Sequence, residues 1–365
     1  MEKAEHEAYL ILESGKIFQG KSFGALRGTV GEIVFATGMT GYLETLTDPS
    51  YYGQAVVQTF PLIGNYGVIP DDFESGKIYM KAYIVNQLCT APSNFRSVSA
   101  LDAFLKEQGI VGLHDIDTRT LTKTLRSNGV MNGMIALDPA DADMDIIGKY
   151  RVKEAVANVS TRKIYKLGAP QSRFHVAVYD LGLKTNIIRE LVSRGCEVTV
   201  LPHDTKADRV LGLNPDGVML TNGPGDPVEN AGIIENLKIL IAAKVPIFGI
   251  CLGHQLLALA HGFKTEKLKY GHRGANQPVK NLFTKQVYIS SQNHGYAVVT
   301  DSIIPGVADS WFVNVNDNTS EGIWYCNTPC FSVQFHPEAC SGPRDTAFLF
   351  ERFIELMEVN QYAAG

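Results

Sequence analysis

Cys251 stands between two glycines in Gly249-Ile250-Cys251-Leu252-Gly253. Val245 to Ile250 before it reads as a buried strand, and Leu252 to Ala260 after it as an apolar helix. A nucleophile at so sharp a strand-to-helix turn projects clear of the sheet, with flanking glycines to permit a strained backbone and leave room for substrate. The helix N-terminus favours a thiolate, and its free N–H groups can receive an oxyanion. The competing reading is a packed thiol, because cysteine is often a small core hydrophobe.

A nucleophilic cysteine needs a base, and the base needs an orienting group. His336-Pro337-Glu338 follows an apolar run from Phe331 to Phe335 and supplies both. Residues two apart on an extended segment point the same way, so Glu338 can orient the His336 ring, and the proline restricts the backbone between them. Taken alone, the tripeptide reads as an exposed loop. Cys326, Cys330, His336 and Cys340 could also be spelled as zinc ligands, but paired Cys-x-x-Cys knuckles are missing, and no metal site is expected. Cys89 and Cys196 read as ordinary buried thiols. Asn222-Gly223-Pro224-Gly225-Asp226-Pro227 reads as a tight loop after a strand, with amides able to face a ligand or simply a turn. Gln292-Asn293-His294-Gly295-Tyr296 reads as a polar loop entering a strand.

The elements that must position these residues fall into two styles. The first half is strand-rich: Tyr9 to Leu12 and Lys16 to Phe18 flank a turn at Glu13-Ser14-Gly15, with further strands at Ile33 to Thr37 and Ala55 to Phe60. Ser99 with Asp102 is expected to cap one helix, and Asp117 another that ends near Gly129. Residues 1–150 form one expected domain, 151–172 a linker and 173–365 a second domain. In the second, Phe174 to Tyr179, Glu197 to Leu201, Gly217 to Thr221 and Val245 to Ile250 alternate with helices. One is Asn186 to Arg194, with Ile187, Ile188, Leu191 and Val192 inward; others are Ile233 to Ala243 and Leu252 to Ala260. That alternation predicts an α/β fold with an open, mostly parallel sheet covered by helices. Later strands are expected at Gln286 to Ser290, Tyr296 to Thr300, Trp311 to Val315, Gly322 to Tyr325 and Phe331 to Phe335, then a helix from Asp345 to Met357.

The 365 residues, 45% hydrophobic and 19% charged, suffice for two cores. A formal net charge of -5 with interspersed signs argues against nucleic acid or an anionic membrane surface as partner. Met1 to Glu7 is charged, with no apolar signal stretch after it, and no apolar run is long enough to span a bilayer. With only six cysteines, this predicts a reducing, cytoplasmic setting where thiols stay free. No phosphate-binding Gly-x-x-x-x-Gly-Lys-Ser/Thr loop is present, so no ATP chemistry is expected on this chain.

The ordered set Gly-Pro-Gly-Asp-Pro, Gly-Ile-Cys-Leu-Gly-His-Gln, Gln-Asn-His-Gly and His-Pro-Glu resembles the class I, or triad, glutamine amidotransferases. Phe35-Ala36-Thr37-Gly38-Met39-Thr40-Gly41-Tyr42, Leu46 to Tyr51, Ile63 to Gly67, Asp117 to Thr122 and Tyr179 to Ile187 resemble the carbamoyl phosphate synthase small subunit. The resemblance implies Cys251 as nucleophile, His336 as general base and acid, and Glu338 as third member. It further implies Gly38, Gly223, Gly225, Leu252, Gln255, Asn293, Gly295 and Tyr296 as glutamine-binding positions. Tyr296 stands where phenylalanine is frequent, and Lys184 matches a family position without an assigned role. A large ATP-grasp subunit, carrying ATP and magnesium, is the implied partner, and carbamoyl phosphate for arginine and pyrimidine synthesis the implied product. The rivals are an amidotransferase of another synthetase, an inactive interaction subunit, and a cysteine hydrolase. The leader domain disfavours the first, the intact Cys251, His336 and Glu338 the second, and Gln255 with Asn293 the third.

Overall fold

The computed structural model describes residues 6–364, and the chain divides between Lys153 and Glu154 into two compact units. The first contains β1 (Glu7–Leu12), β2 (Ile17–Gly24), β3 (Thr29–Ala36), β4 (Gln54–Gln58), β5 (Leu62–Ile63), β6 (Ala82–Ile84), β7 (Gln87–Leu88), β8 (Val111–His114) and β9 (Met131–Ala136), with β4, β6 and β8 as short, almost wholly buried runs. β1-β2-β8-β6-β4-β3-β9 close into a barrel, and β5 pairs with β7 beside it. The β1–β2 hairpin turns at Gly15, whose φ of 81° suits glycine. The helices are α1 (Tyr42–Thr47), α2 (Leu101–Glu107), α3 (Thr118–Asn128) and α4 (Met144–Lys149). Asp117 caps α3 through Thr120 N at 2.9 Å, and the helix ends at Gly129, as expected. The expected cap of α2 does not form: Ala100 is its N-cap, and Asp102 instead accepts from Gly24 N at 2.9 Å, tying α2 to β2.

The expected linker over 151–172 differs in the structure. α5 (Ala155–Val159) sinks Val156 into the core of the second unit, and β10 (Tyr165–Leu167) pairs antiparallel with β12 (Cys196–Pro202) as the edge of the sheet. Three apolar residues on one helical turn are too short a signal to stand out from lysine-rich surroundings.

Besides β12, the second unit contains β11 (Phe174–Asp180), β13 (Gly217–Leu220), β14 (Ile247–Ile250), β15 (Thr265–Asn281), β16 (Val287–Val298), β17 (Ala308–Asn314), β18 (Ser320–Tyr325) and β19 (Cys330–Val333). One open sheet runs β10-β12-β11-β13-β14-β19-β18-β17-β15-β16. From β12 to β19 neighbouring strands are parallel; from β19 to β16 they are antiparallel. The helices are α6 (Thr185–Ser193), α7 (Ala207–Leu211), α8 (Ala231–Ala242), α9 (Leu252–Ala260) and α10 (Phe348–Ala364). α7, α8 and α9 bury Val210, Leu237, Leu240 and Leu256 against one face; α6 and α10 bury Ile187, Leu191, Phe350 and Phe353 on the other. Val192, expected inward, is exposed.

Two readings of the antiparallel wing change. β15 is a 17-residue strand absent from the sequence expectation, and Gln292 to Gly295 lie inside continuous β16 rather than in a loop. Register shifts between Lys267 and His272 and between Gly274 and Gln277 break the two-residue alternation that marks a strand.

The glycines around Cys251 serve close approach. A Cβ at Gly253 would lie 2.4 Å from Leu220 O, and one at Gly249 would lie 2.7 Å from Gly253 O. They let α9 settle onto β13 and β14, and the strained conformation falls on Cys251 itself. Gly253→Ala should therefore destabilise the second unit by about 1–3 kcal/mol through overpacking. A urea unfolding midpoint equal to wild type would contradict this close-packing role.

Candidate active site

The register of two neighbouring parallel strands brings Cys251 and His336 together. Ile250 of β14 pairs with Val333 of β19, so Cys251 and His336 leave adjacent strands at the same, carboxyl end of the sheet. α/β sheets place their sites at that end. Cys251 N donates to Val333 O at 2.9 Å, and His336 N to Ser291 O of β16, also at 2.9 Å. Cys251 is the N-cap of α9, with φ 53° and ψ -104°. Only a built-in constraint holds a non-glycine residue there. Its sulfur lies 3.7 Å from Asn293 O.

His336 and Glu338 form the expected pair, with Nδ1 2.7 Å from Oε1. Lys184, at the head of α6, adds a third group: its Nζ is 2.9 Å from the same Oε1 and 3.0 Å from His336 Nδ1. All three residues are buried. Glu338 sits between two nitrogens, and a carboxylate only accepts, so Nδ1 carries the ring proton and Nε2 is the working nitrogen. Nε2 makes no hydrogen bond of ordinary geometry among the described residues, yet Cys251 is close enough to influence the ring's charge. Burial works most strongly to lower the His336 pKa and the Lys184 charge adds to that, but Glu338 and Cys251 prevail and hold it above its ordinary value. Burial likewise favours protonated Glu338, but Lys184 and His336 overcome it and depress its pKa to about 2.

The other expected site residues are placed as follows. Gly223, at the mouth of the β13 loop, packs so closely that a Cβ would lie 2.7 Å from Leu252 Cδ2. Gly225 turns that loop at φ 91°. Gln255, on α9, donates to Tyr296 O at 2.8 Å and Gln334 Oε1 at 2.9 Å, which fastens β16 to the helix carrying Cys251. Asn293, Gly295 and Tyr296 lie consecutively along β16 with His294 among them. Gly38 lies in the first unit, where its carbonyl accepts from Gln58 Nε2 at 2.5 Å. The alternative zinc set is dispersed. Cys326 is exposed beside Asp309, Cys330 is buried within β19, and Cys340 faces Asn186. Of the two cysteines read as buried, Cys196 is buried and Cys89 only half-buried.

Lys184 matched a family position, but its contact with the His–Glu pair was not foreseen. A lone lysine before an amphipathic helix reads as a surface charge, and only the fold puts its ammonium beside Glu338. Gln334 was missed for a similar reason, since strand periodicity says nothing of the partner an inward amide finds.

Residues 10–135 match the model of the carbamoyl-phosphate synthase small chain, CPSase domain, and residues 177–356 match that of glutamine amidotransferase class-I. The chain is 50% identical to the carbamoyl phosphate synthase small chain of Clostridium perfringens over 96% of this chain and 99% of that one. It is 48% identical to the small chain of Syntrophotalea carbinolica over 98% and 100%. To the pyrimidine-specific small chain of Bacillus subtilis it is 48% identical over 96% of each.

The charge shifts carry a sign that can be tested. The depressed Glu338 contributes stability that is present above its ordinary pKa and is lost as pH falls toward about 2. The raised His336 contributes stability below its ordinary pKa that is lost as pH rises past its folded value. Glu338→Gln should remove the acid-side contribution and lower the His336 pKa. Thermal unfolding against pH and imidazole NMR titration measure the two effects, and an unmoved His336 titration would contradict the coupling.

Proposed function

The chain belongs to the carbamoyl phosphate synthase small-chain family, and from that premise we propose that Cys251, His336 and Glu338 hydrolyse glutamine and release ammonia for a large synthetase subunit. The observation that carries the residue assignment is a nucleophile at a strained strand-to-helix turn. Opposite it is a histidine whose far nitrogen is held by a buried carboxylate.

The chemistry follows from these positions. His336 Nε2 takes the thiol proton, and the Cys251 sulfur attacks the side-chain amide carbon of glutamine. Gly253 N is committed to Thr221 O at 3.1 Å, so Leu252 N is the amide at the head of α9 assigned to the developing oxyanion. The imidazolium then protonates the departing amine, leaving a glutamyl thioester and free ammonia. The same nitrogen next activates a water, which releases glutamate and restores the thiol. Glu338, anchored by Lys184, keeps the ring in the tautomer that each step needs.

Gly223, Gly225, Leu252, Gln255, Asn293, Gly295 and Tyr296 are assigned to the glutamine site by their positions around this turn, and Gly38 by family position. Ammonia is protonated in bulk water and then ceases to be a nucleophile, so a protected route to the partner is part of the proposal. The partner subunit supplies ATP and magnesium chemistry, and this chain carries no cofactor for its own step. No helix among the described residues is long and apolar enough to cross a membrane. A reducing cytoplasm suits an enzyme that depends on a free thiol.

The isolated chain is expected to release glutamate from glutamine slowly and faster with the large subunit. Cys251→Ala should abolish release, and His336→Asn should lower kcat by roughly 10²–10⁴-fold, the usual loss when a general base is removed. A wild-type chain inactive even with its partner would sink the glutaminase reading. A normal rate in Cys251→Ala would move the nucleophile elsewhere.

A further inference from the structure

Behind the strand that carries Asn293 and Gly295, a second constellation has no part in the thiol chemistry. His272 of β15, His294 of β16 and Glu321 of β18 are gathered so that one ligand atom from each lies within 4.8 Å of the others, all largely buried. His294 alternates with Asn293 and Gly295 along β16, so its side chain leaves the opposite face.

The hydrogen bonds settle where the protons are. His294 Nδ1 lies 2.8 Å from Tyr296 O, a carbonyl that can only accept, so Nδ1 is protonated. With the ring proton on Nδ1, Nε2 is the acceptor nitrogen of the imidazole and presents its lone pair inward. This lone pair lies 3.8 Å from Glu321 Oε1 and 3.3 Å from Gln292 Oε1. His272 Nε2 lies 2.8 Å from the carboxylate of Asp317, so its proton is committed there as well. That leaves His272 Nδ1 facing Glu321 Oε1 at 3.4 Å, without hydrogen-bond geometry. Glu321 Oε2 is a further buried oxygen with no hydrogen-bond partner. Acceptors therefore converge on one buried point, where the only side-chain donor to Glu321 among the described hydrogen bonds is Asn314 Nδ2, at a long 3.5 Å from Oε1; so weakly compensated an arrangement costs free energy unless a cation lies there.

We propose that His272, His294 and Glu321 hold one divalent transition-metal ion of the zinc type, a structural site that joins β15, β16 and β18. Two imidazoles and a carboxylate are zinc's donors, and bonds of about 2.0–2.2 Å place tetrahedral ligand atoms roughly 3.3–3.5 Å apart. The His272–Glu321 separation already matches, and the His294–Glu321 separation needs only a small side-chain adjustment. Gln292 Oε1 is the nearest fourth donor on the same strand. Each histidine gives its other N–H to a carboxylate or a backbone carbonyl, the outer-shell pattern of metal-bound imidazole. Arg273 opposes an added cation, and Glu321 with Asp317 supply the two negative charges that offset it. The competing account is a proton shared between His272 and Glu321, drawn onto His272 by both carboxylates.

The experiment uses the full chain carrying Cys251→Ala, which removes the thiol at the strand-to-helix turn, after stripping with a chelator; nitrogen–oxygen bands distinguish the site from binding at the remaining thiols. Zinc is added in equilibrium dialysis and cobalt(II) in visible titrations. One ion per chain and the ligand-field bands of a tetrahedral nitrogen–oxygen site are expected. Asp317→Asn should weaken binding about 10–100-fold, as for a lost outer-shell partner, and Glu321→Gln should weaken it more. Glu321→Gln is isosteric, so a failure to bind would not reflect a collapsed fold; circular dichroism of both variants checks this. An absence of stoichiometric binding, or equal affinity in the Cys251→Ala chain with and without Glu321→Gln, would overturn the proposal in favour of the shared proton.

Discussion

The second unit is organised around one backbone conformation. Cys251 is held at φ 53° and ψ -104°, which costs of order 1–3 kcal/mol for a residue with a side chain. Several contacts share that cost. Cys251 N is fixed to Val333 O, Gly253 N to Thr221 O, and α9 sinks against β13 only because positions 249 and 253 lack side chains. Gln255 then ties the same helix to β16. The strain and the close packing are therefore one device.

A second constraint is electrostatic. Three ionisable groups, Lys184, Glu338 and His336, share a buried volume, where unpaired charge is costly. They are tolerated because one carboxylate oxygen touches both nitrogens. The ammonium keeps Glu338 ionised, and the carboxylate in turn stabilises a charged imidazole. In the proposed mechanism the histidine cycles between charged and neutral forms, and the fixed lysine has a part in it. It holds the carboxylate in place in the half of the cycle when the ring is neutral.

Much of this was legible in the sequence where local chemistry dictates the outcome. The Gly-x-Cys-x-Gly turn, the Asp117 cap and the two-residue spacing of His336 and Glu338 express backbone rules that act within a few residues, and the structure places all three as expected. What escaped depends on distant partners. β15 hid because its bulges break alternation, and α5 because one apolar turn carries no period. Asp102 left its expected helix cap for Gly24, 78 positions away in the chain. Lys184 stands 154 positions from Glu338, a proximity created only by the strand order of the sheet.

Membership in the small-chain family fixes the kind of reaction, and the proposed mechanism assigns its steps to atoms. The assignment turns on covalent bonding of substrate to Cys251. The most direct measurement is acid quenching of the wild-type chain during turnover with glutamine, followed by peptide mass mapping. The account predicts a glutamyl adduct on the peptide that contains Cys251, labile to hydroxylamine as a thioester should be. Steady glutamate release with an adduct on another residue would contradict it.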